Sequence, residues 1–243
     1  MLNDAVQERK VGVERVVQRS DRVFQVVLHS TDRQPLQWQA GQYLQIILPE
    51  GSQCAYSIAS APAYGNQHCE LHIECQPGHG RAAEVMEHIK SSPTITITLP
   101  HGQCHLGDCP QTPLVFIAAS TGFAQMKAMI EQALARQHPY PLHFYWGGVR
   151  PNDFYMPGLP IHWASEQSVV YHPVLSEADP AESWEGRHGL LFQAVLEDRE
   201  QLEGANFYIC GSPTMVYATY DAFVTAGIAA SSIHSDVFDY SPR

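Results

Sequence analysis

The sequence predicts two domains of unlike class: an N-terminal antiparallel β-barrel over residues 1–107 and a C-terminal α/β domain with a parallel sheet over residues 108–243. Three observations lead there. Up to residue 107, short β-type runs are broken by turn residues, as in a meander or barrel. Beyond it, β-type runs alternate with helical periodicity, as in a parallel sheet with helices on both faces. Between them, Gly107–Pro113 is a polar stretch holding Pro110 and Pro113 and reads as a linker.

Composition narrows the class. At 243 residues and 44% apolar content the chain can build two cores. No apolar run approaches the ~20 residues that cross a bilayer, and the opening MLNDAVQERK lacks the apolar core of a signal peptide, so a cytoplasmic protein is expected. With 14 basic against 25 acidic residues the net charge is −11, which repels nucleic acid. Cys54, Cys69, Cys75, Cys104, Cys109 and Cys210 contain no C-x-x-C pair, which argues for reduced thiols and against zinc or an iron–sulfur cluster. None of the thirteen histidines forms H-E-x-x-H, so no metal is expected, and His72 and His143 read as parts of strands.

In the first half, residues 11–20, 22–30 and 43–49 read as strands, with a turn near Asp32–Pro35 and a bend at Gln39–Tyr43 eased by Gly41. Cys54–Pro62 is a short extended segment whose Tyr56 and Ser57 alternate to opposite sides. Glu70–Cys75 is a further strand. Gly78-His79-Gly80 opens a helix over Ala82–Lys90 with Val85, Met86 and Ile89 inward, and Thr94–Leu99 is a last strand ended by Pro100-His101-Gly102.

The second half opens on Leu114–Ala119, an uninterrupted apolar run of the kind buried on both faces of a parallel sheet. Ser120-Thr121-Gly122 makes the turn, and Phe123, Met126, Ile130, Ala133 and Leu134 then mark one face of a helix over Phe123–Arg136. Strands follow at Leu142–Trp146, Val169–Leu175 and Phe207–Cys210, with a short segment after Gly147-Gly148, helices at Leu190–Glu197 and Thr214–Thr225, and a last segment at Ile233–Phe238. The first turn of the helix after Gly122 suits a pyrophosphate. Gly122 allows close ligand approach, but a glycine at a strand-to-helix turn more often serves backbone geometry, and the three-glycine dinucleotide fingerprint is absent. A ligand is expected outside the carboxyl ends of the strands.

Tyr56-Ser57-Ile58-Ala59-Ser60, then Ser120-Thr121-Gly122-Phe123, then Cys210-Gly211-Ser212-Pro213-Thr214-Met215, in that order on a barrel-plus-α/β plan, resemble the ferredoxin–NADP reductase superfamily. Pro100-His101-Gly102, Tyr145-Trp146-Gly147-Gly148 and Trp184–Gly189 followed by Ala194-Val195-Leu196 make the chain most similar to bacterial NAD(P)H–flavin oxidoreductases, including the luciferase-associated type. The resemblance spans nearly the whole chain.

It implies a flavin-binding first domain, an NAD(P)-binding second domain, and hydride transfer to flavin N5 where the two meet. Ser57 would bond N5 and Tyr56 lie along the ring, with Ile58, Ala59 and Ser60 lining the isoalloxazine and the backbone of His72, Ile73 and Glu74 meeting its far edge. Ala119, Ser120, Thr121, Gly122 and Phe123 would receive the nicotinamide nucleotide. Cys210, with Gly211 and Met215, would sit against the nicotinamide, although apart from the resemblance Cys210 reads as a core thiol packed at a strand end. Ser57 and Cys210 are the implied catalytic pair.

The family commonly has an arginine three residues before the motif's serine, where this chain has Cys54. Losing such a charge-assisted bond weakens a phosphorylated flavin by roughly ten- to hundredfold. Riboflavin, FMN or FAD is therefore expected as a passing substrate, with Arg81 a substitute charge. Gly80-Arg81-Ala82-Ala83 also lacks the Ser/Thr of FAD-retaining relatives. NADH and NADPH both remain open: Arg150 could meet a 2′-phosphate, but a lone surface arginine is more often only solvated. Phe238 and Tyr240, in Asp236–Tyr240, are candidates to cover the ring. The expected function is an NAD(P)H:flavin oxidoreductase supplying reduced flavin to a flavin-dependent oxygenase or other acceptor protein. Its alternatives are an FAD-containing reductase component feeding a separate iron–sulfur or oxygenase partner, and a silent nucleotide-binding regulator.

Overall fold

The computed structural model describes residues 5–63, 65–76, 78–166, 168–177 and 184–243, so the first four residues of the opening decapeptide lie outside it. The chain forms two compact units, one of Met1–Gly107 with Lys127–Gln132, the other of Asp108–Met126 with Ala133–Arg243.

The first unit contains β1 (Gln7–Gln18), β2 (Val23–Ser30), β3 (Tyr43–Ile47), β4 (Gln53–Ser57), β5 (His68–Glu74), α1 (Gly80–Ser91) and β6 (Thr94–His101). Its six strands form one antiparallel sheet in the order β4-β3-β6-β1-β2-β5. Period-2 alternation drives one row of side chains inward, among them Val26, Leu28, Leu44, Ile46, Leu71, Ile73, Ile95 and Ile97, and α1 adds Val85, Met86 and Ile89. Among the described residues the two ends of this sheet are joined by a single antiparallel bridge, Ile58 to Leu71, just beyond β4, which ends at Ser57.

The second unit contains β7 (Leu114–Ala119), both ends of α2 (Phe123–Ala135), whose middle, Lys127–Gln132, belongs to the first unit, β8 (Leu142–Gly148), α3 (Gly158–Glu166), β9 (Val169–Leu175), β10 (Arg187–His188), α4 (Leu191–Glu197), β11 (Asn206–Cys210), α5 (Pro213–Thr225), β12 (Ile233–His234) and α6 (Val237–Tyr240). All its strands are parallel, in the order β10-β9-β8-β7-β11-β12. Val115, Ile117, Tyr145, Phe207 and Ile209 face one way, onto Leu191, Ala194 and Val195 of α4 and Val216 and Phe223 of α5. Their neighbours in the strands face the other way: Phe144 and Trp146 stack with Phe123 of α2, and Phe144 also meets Trp163 of α3. Two elements differ from the sequence expectation: Ile233–Phe238 is a two-residue strand followed by the helical turn of α6, and α3 fills a stretch to which the sequence reading assigns no helix. Pro160 is the helix's third residue, where a missing N–H leaves no bond unmade.

Candidate functional site

In the second unit the chain lays down β7, β8, β9 and β10 in one direction, then returns to place β11 and β12 on the other side of β7. The crevice beyond the carboxyl ends of β7 and β11 is thus the sheet's switch point, where such folds bind ligands. Ala119 ends β7 there, Ser120 and Thr121 follow it, and Cys210 ends β11 with Gly211 beyond; all are half-buried. Met215, also half-buried, lies one turn into α5, whose start is fixed by Pro213 and by Ser212 Oγ accepting from Met215 N–H at 3.3 Å.

Close packing shapes this edge. A Cβ on Gly122 would stand 2.4 Å from the Cys210 carbonyl oxygen, so of the two roles open to Gly122 the structure displays the geometric one. A Cβ on Gly211 would meet Met215 Cε at 2.3 Å and Ala119 Cβ at 3.2 Å. Ser120 holds φ +48°, a left-handed conformation that costs a non-glycine residue about 1–2 kcal/mol, and its carbonyl accepts from Trp146 Nε1 at 3.0 Å. The Phe123 ring is fully buried 4.1 Å from that of Trp146, and the residue's N–H is bonded to the carbonyls of Ser120 and Thr121. Burial and the negative charge of Asp236 push the Cys210 thiol up to about 12, so it stays protonated at neutral pH and has no thiolate to act as a nucleophile. Asp236 itself accepts from Gln125 Nε2 at 2.6 Å. Phe238 packs on Tyr217 and Tyr220, while Tyr240 is exposed.

In the first unit Tyr56 and Ser57 end β4 half-buried, with Tyr56 packed against the core and its hydroxyl pKa raised by burial. Among the described residues the Ser57 hydroxyl has no hydrogen-bond partner, so it does not serve the local backbone. Beyond it the chain is tightly stitched. Ile58 N–H donates to Gln42 O, Ala59 N–H to Glu70 O, and Trp38 Nε1 to Ser60 O, while Ser60 Oγ accepts from Glu70 N–H. Since β5 is an edge strand and Glu70 turns its backbone toward Ala59 and Ser60, alternation puts the backbone groups of His72 and Glu74 on that edge and those of Ile73 toward β2.

A buried polar cluster lies behind this segment. His72 Nε2 is 2.6 Å from Glu70 Oε1, and Lys127 Nζ is 3.6 Å from Glu70 Oε2 and 2.9 Å from Glu131 Oε1. Burial alone would raise the Glu70 carboxyl, but the His72 hydrogen bond and the Lys127 charge outweigh it and hold it down to about 2. Burial wins at Glu131, which is raised, and at His72, which is lowered and neutral.

Cys54 points into the core, its thiol raised by burial. Arg81 lies near enough to feel it electrostatically but already holds Glu50 at 2.9 Å and Glu84 at 2.5 Å, so it offers no uncompensated charge to a phosphate. Arg150 is exposed beyond β8 and forms no ion pair among the described residues. Among those residues no three His, Cys, Asp or Glu side chains converge as metal ligands, and no helix is long and apolar enough to cross a membrane.

The model of the oxidoreductase NAD-binding domain matches residues 116–221, which contain the switch point. The chain is 32% identical to the NAD(P)H-flavin reductase of Vibrio harveyi over 82% of its own length and 85% of that protein's. It belongs to the ferredoxin–NADP reductase superfamily. It is also 34% identical to a CDP-6-deoxy-L-threo-D-glycero-4-hexulose-3-dehydrase reductase of Yersinia pestis, over 84% of this chain but only 60% of that longer relative. Among solved structures, an Amycolatopsis cytochrome P450 reductase superposes with a TM-score of 0.84 at 28% identity, covering 96% of this chain and 70% of the other.

Of the superfamily motifs, Trp184–Gly189 is structural: Arg187 bridges to Asp198 at 2.6 Å, Asp198 accepts from Tyr145 OH at 2.5 Å, and a Cβ on Gly186 would strike Pro173 O at 2.5 Å. Sequence reasoning missed Lys127, Glu70 and Glu131. The signal was there, since Lys127 falls four residues after Phe123 and three before Ile130, on the helix's apolar stripe, with Glu131 one turn on.

Proposed function

We propose that the protein is an NAD(P)H:flavin oxidoreductase in which residues 1–107 bind the flavin and residues 108–243 the nicotinamide nucleotide. The observation that carries this reading is the pair of half-buried surfaces at the ends of strands: at Ser57 a serine hydroxyl without a partner among the described residues, and at the switch point a shelf of small residues with a neutral thiol. Bound together, the two cofactors supply the hydride donor and acceptor. Ser57 would donate its hydroxyl proton in a hydrogen bond to flavin N5, worth about 0.5–1.5 kcal/mol net and useful mainly for orientation. Tyr56, Ile58, Ala59 and Ser60 would wall the ring, with the backbone edge of His72 and Glu74 at its polar side. Ala119, Ser120 and Thr121 present a turn open enough for the nucleotide, and Gly211 and Met215 flank Cys210, whose protonated, uncharged sulfur would pack against the nicotinamide without attacking it.

The flavin is read as a passing substrate, because Cys54 faces the core and Arg81 is neutralised by two carboxylates. A cytoplasmic setting fits the six unpaired cysteines. A second reading, a reductase component that hands electrons to an oxygenase or other protein acceptor, is favoured by the longer relatives of which this chain spans 60–70%. One assay tests both. Purified protein is mixed with NADH or NADPH and excess riboflavin, FMN or FAD while nicotinamide absorbance is followed. Rapid oxidation with free flavin is expected; oxidation only with retained FAD and an added protein acceptor selects the second reading, and none with any combination rejects both.

A further inference from the structure

The mechanism above makes no use of Lys127, yet its ammonium is buried on α2 and fully engaged. Nζ donates to Ala59 O at 3.1 Å and to Glu131 Oε1 at 2.9 Å, with Glu70 Oε2 at 3.6 Å, so its three N–H groups face three acceptors. Glu131 also accepts from the Ala61 N–H. Two carboxylates and one lysine would be a poor way to fill a core if stability were the only gain, because the desolvation of buried charges offsets most of their attraction. What the cluster does supply is a fixed donor to one particular carbonyl.

Ala59 is fully buried two residues beyond Ser57, in the stretch where β4 has ended and the sheet closes by one bridge only. Its N–H is held by Glu70 O at 2.7 Å. Its carbonyl points off the sheet edge and is met by Lys127. A charge-assisted bond at a buried site is stronger than a neutral one and its loss leaves the carbonyl unsatisfied. Glu70 serves both ends of the device, binding Ala59 and Ser60 through its backbone and Lys127 through its carboxylate.

We infer that Lys127 is a positioning residue, whose ammonium fixes the Ala59 carbonyl and through it the backbone that presents Tyr56 and Ser57 to the flavin. The inference rests on the proposed flavin role of Tyr56–Ser60. Its test separates the two. In K127M, amide exchange over residues 56–61 becomes at least tenfold faster, the KM for riboflavin rises about tenfold or more, and the KM for the nicotinamide nucleotide stays within twofold. K127Q, which keeps a neutral donor of shorter reach and serves if K127M does not fold, moves the same two quantities in the same direction by less. E131Q keeps an acceptor for Ala61 and leaves the Ala59 bond in place, so its riboflavin KM stays within twofold of wild type. Unchanged exchange and riboflavin KM in a folded Lys127 variant, or an E131Q effect as large as that of K127M, overturns the inference. Absence of flavin reduction by the wild type overturns the functional reading instead, while the exchange measurement still decides whether Lys127 holds the segment.

Discussion

Gly122 and Gly211 offer the same substitution against two different obstacles. Neither is explained by a left-handed backbone, since φ lies outside that region at both, so alanine meets only the surrounding atoms. At Gly122 the new methyl would be 2.4 Å from the carbonyl oxygen and 2.8 Å from the carbonyl carbon of Cys210, backbone of a strand paired to β7. Against an ordinary separation near 3.4 Å the overlap is about 1 Å and no side chain can turn to relieve it, which places G122A near the upper part of the ~1–3 kcal/mol range for overpacking. At Gly211 the first obstacle is Met215 Cε, the tip of a flexible side chain, and the second, Ala119 Cβ at 3.2 Å, needs to yield only a few tenths of an ångström. The lower unfolded-state entropy of alanine returns about 0.4–1 kcal/mol at both sites. G122A is therefore expected to lose about 1–2 kcal/mol net, with G211A within about 1 kcal/mol of wild type. Urea unfolding at unchanged m measures both, and the nicotinamide KM should rise in G122A because Cys210 must move. Equal midpoints for the two variants, or a larger loss in G211A, would refute the placement of Cys210 against the turn.

Replacing Ser57 by Ala should slow flavin turnover several-fold or more with folding intact, and an unchanged kcat/KM for flavin removes Ser57 from the site. The purified protein should carry little yellow colour, and R81A should leave the FMN-to-riboflavin KM ratio within twofold; stoichiometric FAD surviving gel filtration contradicts this. Glu70 is held at about 2, below its ordinary 4.5, so its contribution is present above pH 4.5 and lost as pH falls toward 2. At neutral pH E70Q should be less stable by up to roughly 3 kcal/mol, with a flatter acid limb in urea titrations; parallel limbs would show that the ion pair is not felt. Glu131, raised by burial, acts in the opposite sense, favouring the fold at low pH and losing that as pH climbs through its folded value.

The β7–α2 unit was legible because a six-residue apolar run can be buried only on both faces, and because one turn separates it from 3.6-residue periodicity. The order of strands was not, since pairing such as β1 with β6 joins residues some ninety positions apart and leaves no local mark. The single bridge from Ile58 to Leu71 was hidden for the same reason. α3 escaped because Gly158 and Pro160 in its first turn are poor helix formers, although proline is harmless there. At the candidate site, motif order pointed to Ser57 and Cys210, while the burial of the Phe123 ring depends on Trp146, on another strand. Lys127 was passed over as one polar residue in a helix. A charge on an apolar stripe, with an opposite charge one turn later, was the available clue.

Five of the six thiols are buried, and the sixth, Cys210, is kept in its inert protonated form. Alkylating reagents should therefore leave the folded molecule almost unmarked and modify it at once when it opens. The chain carries its own gauge of conformational opening: the rate at which cysteines become tagged reports how often each core is breached, in either unit, with no dye or engineered probe.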